Sequence, residues 1–234
     1  MDSGESHCNG YAEPLPRQEM FQKLRARILG IKHPGRSSII GIDGVDLSGK
    51  TSLSNELAEM ITKTSQKVIL IHVDDFLQPS EIRNQRGKFS PIGFYEDYFD
   101  FSTLFDCILL PTHFGERVTY SFYANTSQGR EKQLIDYTIE PGDLLLVEGL
   151  FLLRKELRMC FDLLIRLKIS PSLVLERAIA RDIPKLGSFE YVRRHYKEQV
   201  LPAQAIYETM FEPDEHSDIV IDNSDIHKPI FIKI

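Results

Sequence analysis

Apolar residues fall into two patterns that alternate along the chain. Ile39-Ile40-Gly41-Ile42, the run from Lys67 to Val73, Asp143 to Val147, Asp162 to Ile169 and Ser217 to Ile221 have the length and composition of core strands. Between them, Phe21, Leu24 and Ile28, then Leu53, Leu57, Met60 and Ile61, then Phe101, Leu104, Phe105, Ile108 and Leu109 recur at helical spacing. These spacings predict a helix over 18–29 against the sheet edge and one over 99–110 with Pro111 after it. Further helices are expected from Ser170-Pro171 to Arg181 and over 189–210, the latter kinked at Pro202. A period of two appears only over 117–123, with Val118, Tyr120 and Phe122 on one face, and a second extended run follows at 133–139. With 125–130 and Gly129 as its turn, that pair reads as a hairpin inserted into the α/β pattern, and 229–234 as an edge strand. The polar stretch 78–93 reads as a loop able to order on binding. The expectation is one α/β domain over 17–234, a mostly parallel sheet with helices on both faces, a hairpin insertion at about 116–140 and a flexible tail over 1–16.

Composition narrows the partners. The 234 residues are 42% hydrophobic and 26% charged, enough for one sizeable core. A net charge of −6 leaves no basic field for nucleic acid. No apolar run approaches the roughly 20 residues of a membrane span, and 1–19 lacks the apolar region of a signal peptide. Cys8, Cys107 and Cys160 follow no metal spacing and suit a reduced compartment. A cytoplasmic protein, with homo-oligomerisation left open, is the expectation.

The chemistry concentrates after the first strand. Gly44-Val45-Asp46-Leu47-Ser48-Gly49-Lys50-Thr51 fits G-x-x-x-x-G-K-[ST], and Ser52 opens a helical pattern. Glycines let the backbone close on a ligand, and the helix N-terminus favours an anion. Lys50 would bring a charge to nucleotide phosphates and Thr51 a hydroxyl to Mg²⁺. The strand–loop–helix context therefore predicts a P-loop NTPase fold that binds ATP.

Other candidates gather around it. Glu148 ends an apolar strand and could face that Mg²⁺, or merely cap the next helix. Asp74 and Asp75 end another strand, where α/β sheets bind ligands, and one of them could accept the proton of an attacking hydroxyl. Both could equally be turn residues. Arg177 and Arg181 lie four apart, which suits a bridging anion or salt bridges to Glu176 or Asp182. The segment after Asp182, to about 190, contains Pro184 and Gly187 and could act as a short flexible lid. His72 reads as a core histidine.

With these residues in place the chain resembles the uridine kinase and phosphoribulokinase family of P-loop kinases, from about Ser38 to Asn223. The resemblance rests on Ile42-Asp43-Gly44 with its loop, His72-Val73-Asp74-Asp75-Phe76, Val147-Glu148-Gly149, Arg177 to Asp182, and Asp218 to Ile221. It implies Mg·ATP as donor and a small nucleoside-like acceptor, with transfer to a ribonucleoside 5′-hydroxyl. It implies Asp74 as base, Glu148 as the magnesium-side acid, Arg177 and Arg181 as lid arginines, Phe76 beside the substrate, Asp100 on the ribose hydroxyls and Tyr120 in the substrate hairpin. Asp100 also stands where it could cap a helix through Ser102, and Tyr120 could simply pack. The chain departs at Leu77, where uridine kinases usually carry Tyr, in a hairpin without the usual Asp and His, and in a lid with few basic residues. Pantothenate or a pyridine riboside as acceptor, or a non-catalytic nucleotide switch, are the competing readings. A switch has no need of a base at Asp74.

Overall fold

The computed structural model describes residues 14–125 and 132–234. Cys8, most of the expected tail and residues 126–130 of the expected turn 125–130 lie outside them. Six strands form one sheet in the order β2-β5-β1-β6-β7-β8: β1 Ser38–Gly44, β2 Val68–His72, β5 Leu144–Gly149, β6 Leu163–Lys168, β7 Ile219–Asp222 and β8 Ile230–Lys233. All pair in parallel except β8, which lies antiparallel on β7. β3 Val118–Ala124 and β4 Gln133–Ile139 form the separate hairpin, with Tyr120 opposite Tyr137. β2 was expected to be buried but is the outer strand beside β5. Its residues are only half-buried, except Ile71.

Alternate strand residues divide between two helical layers, as the pleat requires. Ile40 and Ile42 of β1 and Leu144 and Leu146 of β5 face the N-terminal helix Arg17–Leu29 and the loop helix Lys50–Thr62. The N-terminal helix thus lies on a sheet face rather than its edge, with Met20, Phe21, Leu24 and Ile28 buried against the same cluster as Leu53, Leu57 and Ile61. Ile39, Leu145 and Val147 point the other way, into the cluster that holds the remaining long helices and the hairpin.

Two of those helices contain a wide π-helical turn just ahead of a proline. Helical structure runs over 101–113 with such a turn at Phe105–Leu109, so Pro111 lies inside the helix and not after it. It runs again over 189–211, with the turn at His195–Val200 before Pro202. Proline lacks an N–H and crowds the carbonyl four residues back, and a wider turn relieves both. The helix Pro171–Leu186 also outlasts the expected lid boundary. It absorbs Pro184 and stops at Gly187, which takes the left-handed conformation (φ 74°). The loop expected over 78–93 is structured as well: it forms Ser80–Arg83 and the start of Pro91–Glu96, capped by the Ser90 hydroxyl and tied down by an Arg86–Asp97 ion pair. No helix among the described residues is long and apolar enough to cross a membrane.

Candidate active site

Central strands β1 and β5 are buried throughout and end side by side, so Gly44 and Glu148 emerge on the same sheet edge. After Gly44 the chain has almost no room: a Cβ there would lie 2.5 Å from the Leu167 carbonyl oxygen and 2.7 Å from Ser48 Oγ. Leu47 (φ 63°) and Gly49 (φ 96°) adopt left-handed conformations that curl the loop back before the helix starts. Leu47 is held there from both sides. Its N–H donates to Asp46 Oδ1 at 2.8 Å, and its carbonyl accepts from Arg177 Nη1 at 2.9 Å. Lys50 Nζ donates to the Val45 carbonyl at 3.1 Å across the loop.

No side chain caps the loop helix, and Ser48 Oγ is buried without a partner. A curled loop, uncapped amides, a lysine and an orphan hydroxyl fit a nucleotide's phosphates. The cation would go to Thr51 and Glu148. Glu148 Oε1 accepts from Thr51 Oγ1 at 3.0 Å and stands 2.6 Å from His72 Nδ1, which leaves Oε2 for a metal or its water. No cluster of three or more acidic, His or Cys side chains suited to a metal occurs among the described residues.

Charge balance sets the protonation states. Burial pushes the Glu148 carboxyl up, but the hydrogen bond to His72, Lys50, the His72 charge and the Thr51 hydroxyl hold it below the usual range. His72 is raised, chiefly by its bond to Glu148. Half-buried and paired with Glu148, it is not the core histidine expected from its apolar run.

Asp74 and Asp75 sit on the short turn Val73–Phe76 and diverge. Asp75 accepts from the Tyr137 hydroxyl of β4 at 3.0 Å. Asp74 opens onto a cleft of about 350 Å³ lined also by Asp46, Leu77, Phe94, Tyr98, Phe99, Arg181 and Tyr191. Its carboxylate meets solvent at the cleft but is crowded by protein on its other sides. That desolvation, reinforced by the Glu148 and Asp46 charges and opposed by Lys50 and His72, pushes its pKa up to about 6.

The remaining predicted residues divide. Arg177 spans Leu47, Asn223 and Ser224 with bonds to three backbone carbonyls at 2.9–3.2 Å. It braces the loop and pairs with neither Glu176 nor Asp182. Arg181 does pair with Asp182, at 2.7 Å. Phe76, expected beside the substrate, is 2% exposed and packs 4.9 Å from the Phe122 ring. It is a core residue that seats the hairpin. Asp100 caps its helix, taking the Thr103 N–H and both the Ser102 and Thr103 hydroxyls at 2.7–3.0 Å. Neither it nor Tyr120, whose ring lies 5.6 Å from that of Phe122, lines the Asp74 cleft. Val45 is buried and Ser52 exposed on the first helical turn. Sequence spacing gave no sign of Asn223, whose Nδ2 donates to the Ser48 carbonyl at 2.7 Å, or of Tyr196, which reaches Asp46 at 2.7 Å. Only the fold brings such distant positions to the loop.

Comparison with known proteins places this arrangement. The pattern of the phosphoribulokinase/uridine kinase family matches residues 39–223. A uridine kinase of Lactococcus lactis subsp. cremoris is 28% identical, over 80% of this chain and 88% of its own. Uridine-cytidine kinase B of Dictyostelium discoideum is 27% identical, over 81% and 75% respectively. Among solved structures, one described as a possible uridine kinase from Bacillus stearothermophilus superposes with a TM-score of 0.67 at 24% identity, over 87% of this chain and 97% of its own, a likeness of fold. The chain belongs to the phosphoribulokinase/uridine kinase family and is a P-loop phosphotransferase that acts on a hydroxyl group.

Proposed function

We propose that the chain transfers the γ-phosphate of ATP to the 5′-hydroxyl of a ribonucleoside such as uridine or cytidine. The observation that carries the reading is the Asp74 carboxylate, facing an aromatic-walled cleft beside the phosphate loop. Tyr98 and Tyr191, backed by the buried rings of Phe94 and Phe99, offer aromatic surface to a base, and Asp74 offers the one feature that a nucleotide switch would lack.

In this reading the loop amides and Lys50 hold the phosphates, and Asp74 accepts the proton of the attacking hydroxyl. The cleft fixes that hydroxyl against the loop, which removes the orientational cost of the encounter. Mg²⁺ at Thr51 and Glu148 would neutralise charge on the phosphate oxygens. His72 keeps the Glu148 carboxylate aimed, and Arg177 keeps the loop in shape.

The test is a rate comparison at fixed Mg·ATP across uridine, cytidine, their 2′-deoxy forms, a pyridine riboside and pantothenate. Ribonucleosides are expected to be phosphorylated well and the deoxy forms poorly, since a site that pairs both vicinal hydroxyls is left with an unpaired group when one is missing. Asp100, which stands outside the Asp74 cleft, is the reader that the family resemblance implies. Three hydrogen bonds already fall on its carboxylate, so Asp100→Asn, which still caps the helix, isolates any role toward the acceptor. If it leaves the ribose preference intact, Asp100 is a cap alone. Transfer only to an acceptor without ribose would move the chain to another branch of the family.

A further inference from the structure

The phosphate loop carries a carboxylate of its own. Asp46 Oδ2 accepts from the Tyr196 hydroxyl at 2.7 Å and lies 3.4 Å from Arg181 Nη2. That Nη2 also reaches the Tyr196 oxygen at 3.0 Å and Asp182 Oδ2 at 3.0 Å, while Arg181 Nε holds Asp182 Oδ1 at 2.7 Å. Tyr196 is fully buried, with a second carboxylate oxygen, from Asp182, at 2.9 Å. A phenol has one proton to donate, so its oxygen is balanced between two acids and accepts from the arginine. Four side chains thus knot together three segments: the phosphate loop, the end of the helix Pro171–Leu186, and the wide turn His195–Val200.

The knot lies where both substrates would meet. Asp46, Arg181, Asp182 and Tyr196 all line the acceptor cleft. Asp46 also belongs to the loop that would hold a triphosphate. A phosphate anion placed there repels the Asp46 carboxylate and competes with it for the same guanidinium.

On the kinase reading of this site, we infer that Asp46 is a positioning residue that stands in for the transferring phosphate. With Tyr196 it parks Arg181 against the loop. Nucleotide binding displaces Asp46 from Arg181, loosens Tyr196, and so changes the wall of the acceptor cleft. The two substrate sites are coupled through this exchange, and the coupling is reciprocal.

The experiment is calorimetric titration of the full chain with a non-hydrolysable ATP analogue and Mg²⁺. Asp46→Asn keeps an oxygen for the Leu47 N–H and removes the competing charge, so the analogue should bind about tenfold tighter. Tyr196→Phe preserves shape and should tighten it about threefold, a second route should the loop variant fold poorly. In an Arg181→Ala background the Asp46→Asn gain should shrink to less than about twofold, because it acts through Arg181. Unchanged or weaker binding in Asp46→Asn and Tyr196→Phe would overturn the inference. So would a gain that survives in the Arg181→Ala background, since that is charge removal alone. A wild-type chain that binds the analogue but shows no gain on either substitution defeats the latch and spares the kinase reading. A wild-type chain that binds no nucleotide defeats both.

Discussion

Asp74 and Asp75 show how much a single position decides. They are neighbours in sequence, but the turn at Val73–Phe76 sends one carboxylate to the Tyr137 hydroxyl and the other to the cleft. Asp74→Asn keeps the shape and removes the base, so nucleotide affinity should persist while kcat falls by about 10²–10⁴-fold. Asp75→Asn should cost far less activity. Steady-state kinetics on both variants checks the ranking, and the reverse order would assign the base to the wrong acid. The sign of the pH dependence follows from the same environment. Asp74 is pushed up to about 6, so it is protonated and inactive as a base below that pH and available above it. The acceptor kcat/KM should therefore rise as pH increases through about 6 and level off above, with no such limb in Asp74→Asn. A flat profile from pH 5 to 8 would remove Asp74 from the proton transfer.

At the scale of elements, the arginine helix Pro171–Leu186 does more than present charge. Val174, Ala178 and Asp182 are its buried stripe, and Arg177 on the adjoining face reaches three carbonyls, in the loop and beyond β7. A guanidinium fork suits that task and an ammonium does not. Arg177→Ala should raise KM for nucleotide and lower stability by about 1–3 kcal/mol, and Arg177→Lys should recover little of either. Denaturant melts beside the kinetics separate the two effects, and a change in kcat alone would return Arg177 to direct phosphate contact. Strand runs, the hairpin and the loop were legible in the sequence because each is set by local periodicity or by a fixed spacing of glycine and lysine. The helix ends were less so, since Pro111 read as a stop and Pro184 as part of a flexible lid, yet both lie inside helices. Phe76, which the family resemblance set beside the substrate, has its ring turned into the core against Phe122. The partners of Asp46 and Ser48 lie 150 and 175 positions away, at Tyr196 and Asn223, and no local pattern announces them.

Across the whole molecule, the site is a junction of elements that share no contact in sequence. The loop follows β1, Glu148 lies at the end of β5, His72 ends β2, and Asn223 follows β7, so four strands of one sheet meet around the glycine-lysine loop. The Asp74 cleft adds helical segments from the opposite layer. A ligand that spans these pieces binds the folded chain and not the unfolded one, and its binding energy appears as stability. At about 100 times its Kd, a non-hydrolysable ATP analogue with Mg²⁺ should add about 2.7 kcal/mol. In a chain of this size that is a rise in Tm of about 5–10 °C. Lys50→Ala should fold, because the loop lies over an intact core, but should lose most of that rise, since the charge meeting the phosphates is gone. The same scan with the acceptor added tests whether the two halves act together: a further rise that requires the analogue marks coupled sites, and equal shifts with and without it mark independent ones. A Lys50→Ala chain stabilised as fully as the wild type would show that the analogue binds somewhere other than the loop.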